Sequence, residues 1–580
     1  MSENLKNRKI FYDIFIYIYK IKGETIMEWK KKNNFSTTKE VVLNNLNVSE
    51  KEYNEWFSKE YKIKNLDLVA EKIKSYNKND LITIVGDYDV DGTTSTAIIT
   101  RVLKTLGYNV KYRIPKRKSE GYGLNPLIID EITTGMIITI DNGISAIEAI
   151  NKAKEKGLYV IVIDHHQKGA TLPNADIIVD PHIEDDSTFK NYCAGGLAYK
   201  LIQMLTDDEN LINTSLSLAA LATVADSMPL IEENYIIVKK GLKTLVSKTG
   251  RNCGLYSLLE ANDCQNIITE KDIGYKIAPC INAPGRLYDD GGKIVTAQLL
   301  WDGNLKVSEK TANLILDINE KRKVLKETGL NNIKKNIYEN NLQDNFPLIV
   351  YEPNIDEGVV GIIAGKLAED FKKPVIVFTD SEDLSVLKGS GRSYGDFDIF
   401  KFLNAHADEF TKLGGHPAAC GLSILRENFN HCQNLLTTIK KSNDKNNVLY
   451  YDLEIDLEKD NIDEIYKELM NYAPYGVKNS NIIFHIKNFK CVGKKTNEYY
   501  LQVGNKKQHI KFLNPKIDGI AFDSTEKYLA MGTPKNLELI GTLSLNHFND
   551  YKKIQIEVID FKKVEKQDFK TELQKLLYSV

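Results

Sequence analysis

The stretch Leu81-Ile-Thr-Ile-Val-Gly-Asp-Tyr-Asp-Val-Asp-Gly92 decides the fold of this chain. Its apolar, β-branched first half predicts a buried strand. The carboxylates of Asp87, Asp89 and Asp91 follow at alternate positions, so an extended backbone would place all of them on one side. Such close like charges repel strongly unless a cation lies among them. The final glycine allows a tight turn, and residues 93–96 are expected to cap a helix. A merely acidic loop is the alternative, but this position between strand and helix favours a metal site.

The length and composition are those of a multidomain globular protein. A chain of 580 residues exceeds what one core can hold, which predicts about three or four domains. The net charge of −2 excludes a globally basic nucleic-acid binder but not local basic patches. The seven cysteines are scattered, odd in number and never spaced as C-x-x-C. This pattern predicts reduced thiols in a cytoplasm, without a zinc module or disulfide framework.

The N-terminus superficially resembles a signal peptide, because basic residues precede the apolar residues 10–19. Asp13 interrupts the apolar run, however, and no small-residue cleavage site follows. We therefore expect a short amphipathic or strand-like extension, with Met27 as an alternative natural start. No apolar stretch in the sequence is long enough to span a membrane, so no membrane association is expected.

Strands and helices alternate from residue 81 onward, which predicts an α/β fold with a parallel sheet covered on both faces. The expected strands of this first sheet are 81–85, 136–140, 159–163 and 177–179. A second α/β unit begins near residue 347 and is expected to end in glycine-rich turns at 389–393 and 414–416. The predicted domains are a mostly helical extension (1–79), the parallel-sheet domain (80–305), a long linker helix (306–345), the second α/β domain (346–445) and an all-β, OB-like domain (446–580).

Polar groups follow each strand of the first sheet, where ligands of parallel sheets bind. Asp89 and Asp91 follow the first strand, Asp141 the second and His165 the third. Carboxylates with one or two imidazoles suit Mn²⁺ or Mg²⁺, and the lack of cysteine disfavours structural Zn²⁺. So many acids would over-neutralise one divalent ion. We therefore expect two bridged ions, ~3.5–4 Å apart as in phosphoryl-transfer hydrolases.

The predicted catalytic residues are Asp87, Asp164 and His166. His166 is expected to donate a proton or to stabilise charge on the reacting phosphorus. Asp164 is expected to orient a neighbouring imidazole. Adjacent histidines are elsewhere more often a solvated or core pair, but here they end a predicted buried strand beside an aspartate.

Ordered motifs along the chain resemble those of the DHH phosphoesterases: Asp89-Val-Asp-Gly92, Asp141-Asn-Gly143, Asp164-His-His166 and Ala225-Asp226. Gly414-Gly-His-Pro-Ala-Ala-Cys-Gly421 is similar to the signature of their second, DHHA1-type domain. Four further segments resemble the RecJ family of single-strand-specific 5′→3′ DNA exonucleases: 120–123, 281–287, 358–363 and 473–476. The resemblance runs from about residue 80 to 560. It implies a DHH domain at 80–305 and a DHHA1-type domain at 346–445.

The resemblance also implies an activity, the release of nucleotides from single-stranded DNA in repair and recombination. It implies that two Mn²⁺ or Mg²⁺ ions are held by Asp87, Asp89, Asp91, Asp141, His165 and Asp226, of which Asp226 is assigned mainly by the resemblance. It further implies that Ser390 and Arg392 grip the 5′ end. The other implied substrate-binding residues are Arg286, Gly414, Gly415 and His416, of which Arg286 and His416 would face the scissile phosphate.

Several positions depart from the pattern of the family. Asp356-Glu357 stands where the family usually has histidine or asparagine followed by proline. Pro284 and Cys420 each replace a usual alanine. These departures bear on local substrate contacts and leave the predicted metal ligands intact.

Substrate contacts are also suggested by the residue types themselves. Arg117 lies in the basic cluster 111–118, which suits phosphate binding, although a solvated charged face is the alternative. Ser390-Gly-Arg392 combines amides, a hydroxyl and a guanidinium that could clamp a terminal phosphate; a plain glycine turn is the alternative. Aromatic residues interleaved with lysine in the tail suit base stacking, although part of them belongs to the core: Phe484, Phe489, Tyr499, Tyr500, Phe512, Phe548 and Tyr551.

Two alternatives to the exonuclease stay open at this point. The first is a DHH phosphodiesterase for short oligoribonucleotides or cyclic dinucleotides, against which the long helical region and β-rich tail argue. The second is a non-catalytic replication scaffold, which should have lost metal ligands. The predicted partner is single-stranded DNA, with a single-strand-binding protein and a helicase as further candidates, and the chain is expected to be a cytoplasmic monomer.

Overall fold

The computed structural model of the protein describes residues 27–183, 187–247, 251–264, 266, 268–439, 448–493, 499–548 and 551–564. The apolar N-terminal segment, residues 10–19, lies outside the described residues. Contacts divide the chain into two compact units. The larger unit contains residues 51–443 with 476–478, and the smaller contains residues up to 50, 444–475 and 479–580. None of the described helices combines the length and the apolar character needed to cross a bilayer.

The first sheet of the larger unit has five parallel strands in the order β3-β2-β4-β5-β6. Strand β1 (Glu28–Lys31) and helix α1 (Thr38–Leu46) of the smaller unit precede it in the chain. The five strands are β2 (Ile82–Val85), β3 (Val110–Arg113), β4 (Met136–Ile140), β5 (Tyr159–Ile163) and β6 (Ile177–Val179). The central strands are apolar and buried on both faces, as predicted for a parallel sheet. The edge strand β3 was not predicted, because it falls in the basic cluster.

Helices cover both faces of this sheet. On one face, Ile73, Ile98 and Leu197 pack with Ile84 and Ile138 in one large core. On the other face, Ile128 and Ile150 pack against Val85 and Val160. The helices of this region are α2 (Glu50–Glu55), α3 (Leu66–Ser75), α4 (Val90–Thr105), α5 (Pro126–Asp130), α6 (Ile147–Glu155), α7 (Ala194–Leu205), α8 (Glu209–Ala225), α9 (Glu232–Val246), α10 (Cys253–Ala261), α11 (Glu270–Asp272), α12 (Ala278–Leu287) and α13 (Gly291–Leu300). A π-helical segment, Ile273–Ile277, connects α11 to α12.

A 35-residue helix, α14 (Leu305–Glu339), leads to the second sheet. This sheet is mixed, in the order β11-β12-β10-β9-β8, and its one parallel pair is β8 with β9. Its elements are β8 (Leu348–Tyr351), α15 (Glu357–Phe371), β9 (Val375–Asp380), β10 (Val386–Arg392), α16 (Ile399–Asn404), β11 (Lys412–His416), β12 (Ala419–Leu425) and α17 (Phe429–Leu436). The short strands β7 (Asn345–Phe346) and β13 (Thr438–Ile439) pair beside it.

The glycine-rich stretches of the second sheet are strands and not the predicted turns. Residues 389–392 belong to β10, and residues 414–416 belong to β11. A Cβ on Gly389 would lie 2.7 Å from the Phe378 ring, and one on Gly391 would lie 2.6 Å from Cys420 Sγ. The glycines therefore allow the strand to pack closely against its neighbours.

The smaller unit contains a seven-stranded sheet in the order β15-β16-β20-β21-β19-β18-β17, and β1 pairs in parallel with β14. This confirms a strand-rich C-terminal region. Its elements are β14 (Val448–Tyr451), β15 (Leu453–Asp456), α18 (Ile462–Asn471), β16 (Phe484–Lys490), β17 (Tyr500–Val503), β18 (His509–Phe512), β19 (Asp518–Ala521), α19 (Thr525–Ala530), β20 (Asn536–Phe548) and β21 (Tyr551–Lys563). Of the tail aromatics suggested for stacking, Phe484, Phe489 and Phe512 are buried core residues. The side chains of Phe548 and Tyr551 lie outside the described part of the chain.

Candidate metal centre and phosphate cleft

The second and third of the three aspartates after β2 belong to the start of a helix and not to an extended strand. Helix α4 begins at Val90, earlier than predicted, and Asp89 is its N-cap, with Oδ1 accepting from the Gly92 amide at 2.9 Å. Asp91 lies in the first helical turn and accepts from the backbone amides of Ala194 and Gly195, at 2.7 Å each. The predicted caps at residues 93–96 are therefore wrong, because an aspartate satisfies the free amides one turn earlier.

Tight backbone packing holds this turn together. A Cβ on Gly92 would lie 2.7 Å from the Cα of Asp87, so only glycine fits where α4 passes the end of β2. Asn142, which follows Asp141, donates to the carbonyls of Val85 and Ile140 and accepts from the Leu124 amide. These bonds lock the ends of β2 and β4 to each other, so the polar residues after both strands occupy one site.

His165 lies at the centre of the acidic residues. Its Nε2 is 3.0 Å from Asp141 Oδ1, 3.4 Å from Asp91 Oδ2 and 3.9 Å from Asp226 Oδ2. Two groups of donor atoms within metal-binding reach share this histidine: Asp91 with Asp226, and Asp141 with His166. Asp226 arrives from a different element, as the C-cap of α8. His166, predicted to donate a proton or to stabilise charge on the reacting phosphorus, therefore also has a ring nitrogen within reach of a cation.

Asp87 and Asp89 lie outside these two groups of donor atoms. Asp87 is fully buried; its Oδ1 accepts a long bond of 3.4 Å from the Gly123 amide, and its Oδ2 has no hydrogen-bond partner among the described residues. A buried carboxylate oxygen without a partner is costly, and a cation would satisfy it. Both residues stay predictions as ligands.

The pKa values of the acids are raised by burial first and by mutual repulsion second. Burial, followed by the neighbouring aspartates, raises the pKa of Asp141 well above its ordinary range. Burial and Asp89 do the same for the pKa of Asp87. Burial, then Asp91 and Asp89, raise the pKa of Asp226 to about 8. Such a group binds protons or cations readily at neutral pH.

The chemistry of the donor set fits a hard divalent ion. Hard carboxylate oxygens and an imidazole surround the position, which suits Mn²⁺ or Mg²⁺. The nearest thiol of note, Cys193, is fully buried and lies 3.5 Å from the Thr223 hydroxyl. Burial, together with Asp91 and Asp226, raises the pKa of Cys193 well above its usual range, so the thiol keeps its proton and is a poor ligand.

His166 is held by Asp164. Its Nδ1 lies 2.7 Å from Asp164 Oδ1, and Asp164 also accepts from the amides of His165 and Ile144. Burial alone would lower the pKa of His166, but the Asp164 carboxylate outweighs it and raises that pKa to about 9. Both oxygens of Asp164 are engaged by these donors, and its role in orienting the imidazole stays a prediction.

Tyr122 completes this arrangement and was not singled out from the sequence. Its hydroxyl donates to the backbone carbonyl of Asp141 at 2.6 Å and lies 3.3 Å from His166 Nε2. Because its proton is already given to Asp141, the hydroxyl accepts from the imidazole. The sequence feature that could have identified Tyr122 is its place in the motif at residues 120–123.

A cavity of about 480 Å³ in the larger unit is lined by strands of the second sheet and by helix α15, with Arg117 and Arg286 from the first domain. Five cationic side chains line it: Arg117, Arg286, Lys388, Arg392 and Lys412. Ser390 and Gly414 also line it, and Arg392 Nη1 donates to Ser390 Oγ at 2.9 Å. Burial, then the charge of Arg117, lowers the pKa of Arg286 to about 10. The clustered positive charge favours an anionic ligand.

Not every predicted contact residue belongs to this cavity. Gly415 and His416 lie on β11 and are not among its lining residues; His416 is exposed and accepts a long bond of 3.4 Å from the Ala418 amide. In the basic cluster, Arg113 is bound by Glu120 and Glu131, so it is no free phosphate ligand. Arg117 does face the cavity and stacks over the Tyr88 ring at 5.1 Å.

Comparison with known proteins identifies the domains. The model of the DHH family, N-terminal domain, matches residues 81–224, the DHHA1 domain matches 345–442, and the RecJ OB domain matches 451–560. The chain therefore has the domain order DHH, DHHA1 and RecJ OB. Among curated relatives, the single-stranded-DNA-specific exonuclease RecJ of Bacillus subtilis (strain 168) is 30% identical over 514 residues, covering 86% of this chain. The chain spans only 64% of the length of that RecJ protein.

Solved RecJ structures share the fold. A crystal structure of exonuclease RecJ bound to manganese is 28% identical, with a TM-score of 0.56, and covers 65% of this chain and 94% of its own. RecJ from Thermus thermophilus, in complex with Mn²⁺, covers 94% of this chain and 80% of its own at a TM-score of 0.71 and 23% identity. The second likeness extends the shared RecJ fold over nearly the whole chain and confirms the predicted α/β and OB-like architecture.

Proposed function

We propose that this chain is a metal-dependent exonuclease that hydrolyses single-stranded DNA from the 5′ end and releases nucleotides in repair and recombination. The observation that carries the proposal is the position of His165, which belongs to two groups of possible metal-donor atoms. The cationic cleft lies in the same unit of the protein. The relatives named as single-stranded-DNA-specific exonucleases support the substrate class.

Two Mn²⁺ or Mg²⁺ ions are the proposed cofactors. Asp87, Asp89, Asp91, Asp141, His165 and Asp226 would hold them, and a RecJ relative has been solved bound to manganese. Bound ions of this kind lower the pKa of a coordinated water and bind phosphate oxygens. The unpartnered oxygen of Asp87 and the raised carboxyl pKa values support a site built for cations.

The chain's own groups supply the proton and the orientation. With a pKa of about 9, His166 carries its proton at neutral pH and can give it to the leaving sugar oxygen. Asp164 fixes the ring through Nδ1, and Tyr122 accepts from Nε2. These two contacts restrict rotation of the His166 imidazole, so the proton is held in a defined orientation.

The cleft is the proposed receptor for the 5′ end. Arg392 and Ser390 lie 2.9 Å apart and could grip one terminal phosphate, while Arg286 and Arg117 add charge from the first domain. Gly414 lines the same cavity, and contacts from Gly415 and His416 stay predictions. The OB-like unit is proposed to bind single-stranded DNA farther along the strand.

The proposal is tested with labelled single- and double-stranded DNA and RNA, each with phosphate and hydroxyl 5′ ends, in Mn²⁺. Single-stranded DNA should be shortened from its 5′ end. His165→Ala should lower the rate by more than roughly 100-fold, the loss that even outer-shell partners of metal ligands cause. His431→Ala changes an exposed histidine outside the centre and serves as the matched control.

Three outcomes contradict the proposal. Preferred cleavage of short RNA or cyclic dinucleotides would favour a phosphodiesterase, and no metal-dependent cleavage would favour a scaffold. Equal activity of the His165→Ala protein would place the chemistry elsewhere. We also propose that the chain is a monomer in the cytoplasm, and light scattering checks its oligomeric state. A single-strand-binding protein and a helicase are the proposed partners, which pull-down with purified candidates checks.

A further inference from the structure

The cleft contains a charge that opposes its proposed ligand. Glu357 is the one acid among the described residues that line the cavity, where it faces five cationic side chains. Its Oε2 lies 2.8 Å from Lys388 Nζ, and the two side chains are 28% and 46% exposed. A carboxylate at this position neutralises one cation and repels phosphate oxygens.

Strand geometry places Lys388 in line with the proposed phosphate clamp. Side chains alternate along β10, so Lys388, Ser390 and Arg392 share one face. The opposite face carries buried Leu387 and the glycines that pack against Phe378 and Cys420. Lys388 is therefore the third member of the row to which the clamp residues belong.

Helix geometry places Glu357 over the same row. Glu357 begins α15, and Gly361 lies one turn later on the same helix face. A Cβ on Gly361 would lie 2.8 Å from Arg392 Nη2 and 3.2 Å from Ser390 Oγ. The helix thus sets glycine over the clamp, where it leaves space, and glutamate over the lysine, where it adds opposing charge.

We propose that Glu357 is a specificity-determining residue that withholds Lys388 from a 5′-terminal phosphate. The inference rests on the proposed function, because it assumes that the clamp receives the 5′ end. The pair moderates the preference for phosphorylated ends, so that hydroxyl ends are also accepted. Removing the charge of Glu357 frees the ammonium group of Lys388 and removes repulsion of the phosphate.

The test measures dissociation constants of 5′-phosphorylated and 5′-hydroxyl oligodeoxythymidine by fluorescence anisotropy, with the full chain and a metal chelator. Glu357→Gln should raise the phosphate preference by about 3- to 10-fold, the range of one partly exposed, charge-assisted contact. The gain should come from tighter binding of the phosphorylated strand alone. Adding Lys388→Met should return the preference to within about twofold of the original protein. Glu369→Gln, on the same helix and outside the cavity, is the matched control.

The outcomes separate this inference from the proposed function. An unchanged preference in Glu357→Gln, an equal gain for both ends, or a gain that survives Lys388→Met overturns the role of Glu357. Arg392→Ala tests the clamp itself and should lower the phosphate preference. If it does not, the clamp is misplaced, and the proposed clamp and the role of Glu357 both fall, while metal-dependent cleavage still tests the exonuclease. If it does while Glu357→Gln has no effect, only the role of Glu357 is rejected.

Discussion

Replacing Asp226 with asparagine should stabilise the metal-free protein at neutral pH. Asp226 Oδ2 lies 3.9 Å from His165 Nε2, and burial together with Asp91 and Asp89 raises its pKa from 3.8 to about 8. The folded protein therefore holds this proton more tightly than the unfolded chain does. Stability is unaffected below about pH 4 and is lost progressively as the pH rises toward 8, because the folded state must then carry the unfavourable charge.

The size of this destabilisation follows from the pKa shift of Asp226 and from the exposure of its side chain. At about pH 7.5 the full shift would cost roughly 5 kcal/mol, from about 1.36 kcal/mol for each pH unit above 3.8. The side chain is 35% exposed, so solvent screening reduces this value to about 1–2 kcal/mol. For the larger unit of roughly 400 residues, that gain raises the unfolding temperature by roughly 1–2.5 °C.

Thermal unfolding measured between about pH 5 and pH 8 checks this value. In chelator, the advantage of Asp226→Asn over the original protein should grow with pH. With Mn²⁺ the order should reverse, because a ligand that binds only the folded state stabilises the protein that binds it better. Asp130→Asn is the control, since Asp130 is paired with Lys152 and its pKa is lowered by that contact. No gain for Asp226→Asn in chelator, or no reversal with Mn²⁺, would refute the reasoning.

Two further substitutions test the packing and the proton donor. Gly358→Ala should destabilise the larger unit by about 1–3 kcal/mol in chemical denaturation, because its Cβ would lie 2.1 Å from the Arg286 carbonyl oxygen. The control Gly365→Ala, whose Cβ has an ordinary contact at 3.9 Å, should be neutral or stabilising. Equal effects of the two substitutions on the free energy of unfolding would contradict the packing argument. Tyr122→Phe removes the hydroxyl near His166. It should slow single-turnover cleavage by about 2- to 10-fold, the contribution of one hydrogen bond, without changing DNA affinity. An unchanged cleavage rate would exclude the proposed contact.

The sequence predicted the parallel strands well because their two buried faces leave uninterrupted apolar runs. Strands β4, β5 and β6 have the predicted bounds. The polar groups at their ends were expected to meet, and His165 does lie beside Asp141 and Asp91. This part depends on topology alone, since the carboxyl ends of parallel strands lie at one edge.

Prediction from the sequence failed where one residue pattern is compatible with two local structures. Aspartates at every second position suggest an extended chain, but Asp89 gains more by capping a helix through the Gly92 amide. Tyr122 shows a second limit. Its role depends on a hydroxyl that meets the carbonyl of Asp141 and the ring of His166, and no spacing in the chain encodes that meeting.

The glycine-rich segment of strand β10 has a sequence that is also typical of a turn. Glycine is poor in strands, so Gly389 and Gly391 favoured a turn by propensity. Their period of two favours a strand instead, because it leaves Lys388, Ser390 and Arg392 on one face and only hydrogen at the two glycine positions of the other. Phe378 and Cys420 occupy the space that Cβ atoms would need. Close packing on one face of the strand therefore fixes the row of polar groups on the other, which places the proposed phosphate contacts on a rigid element.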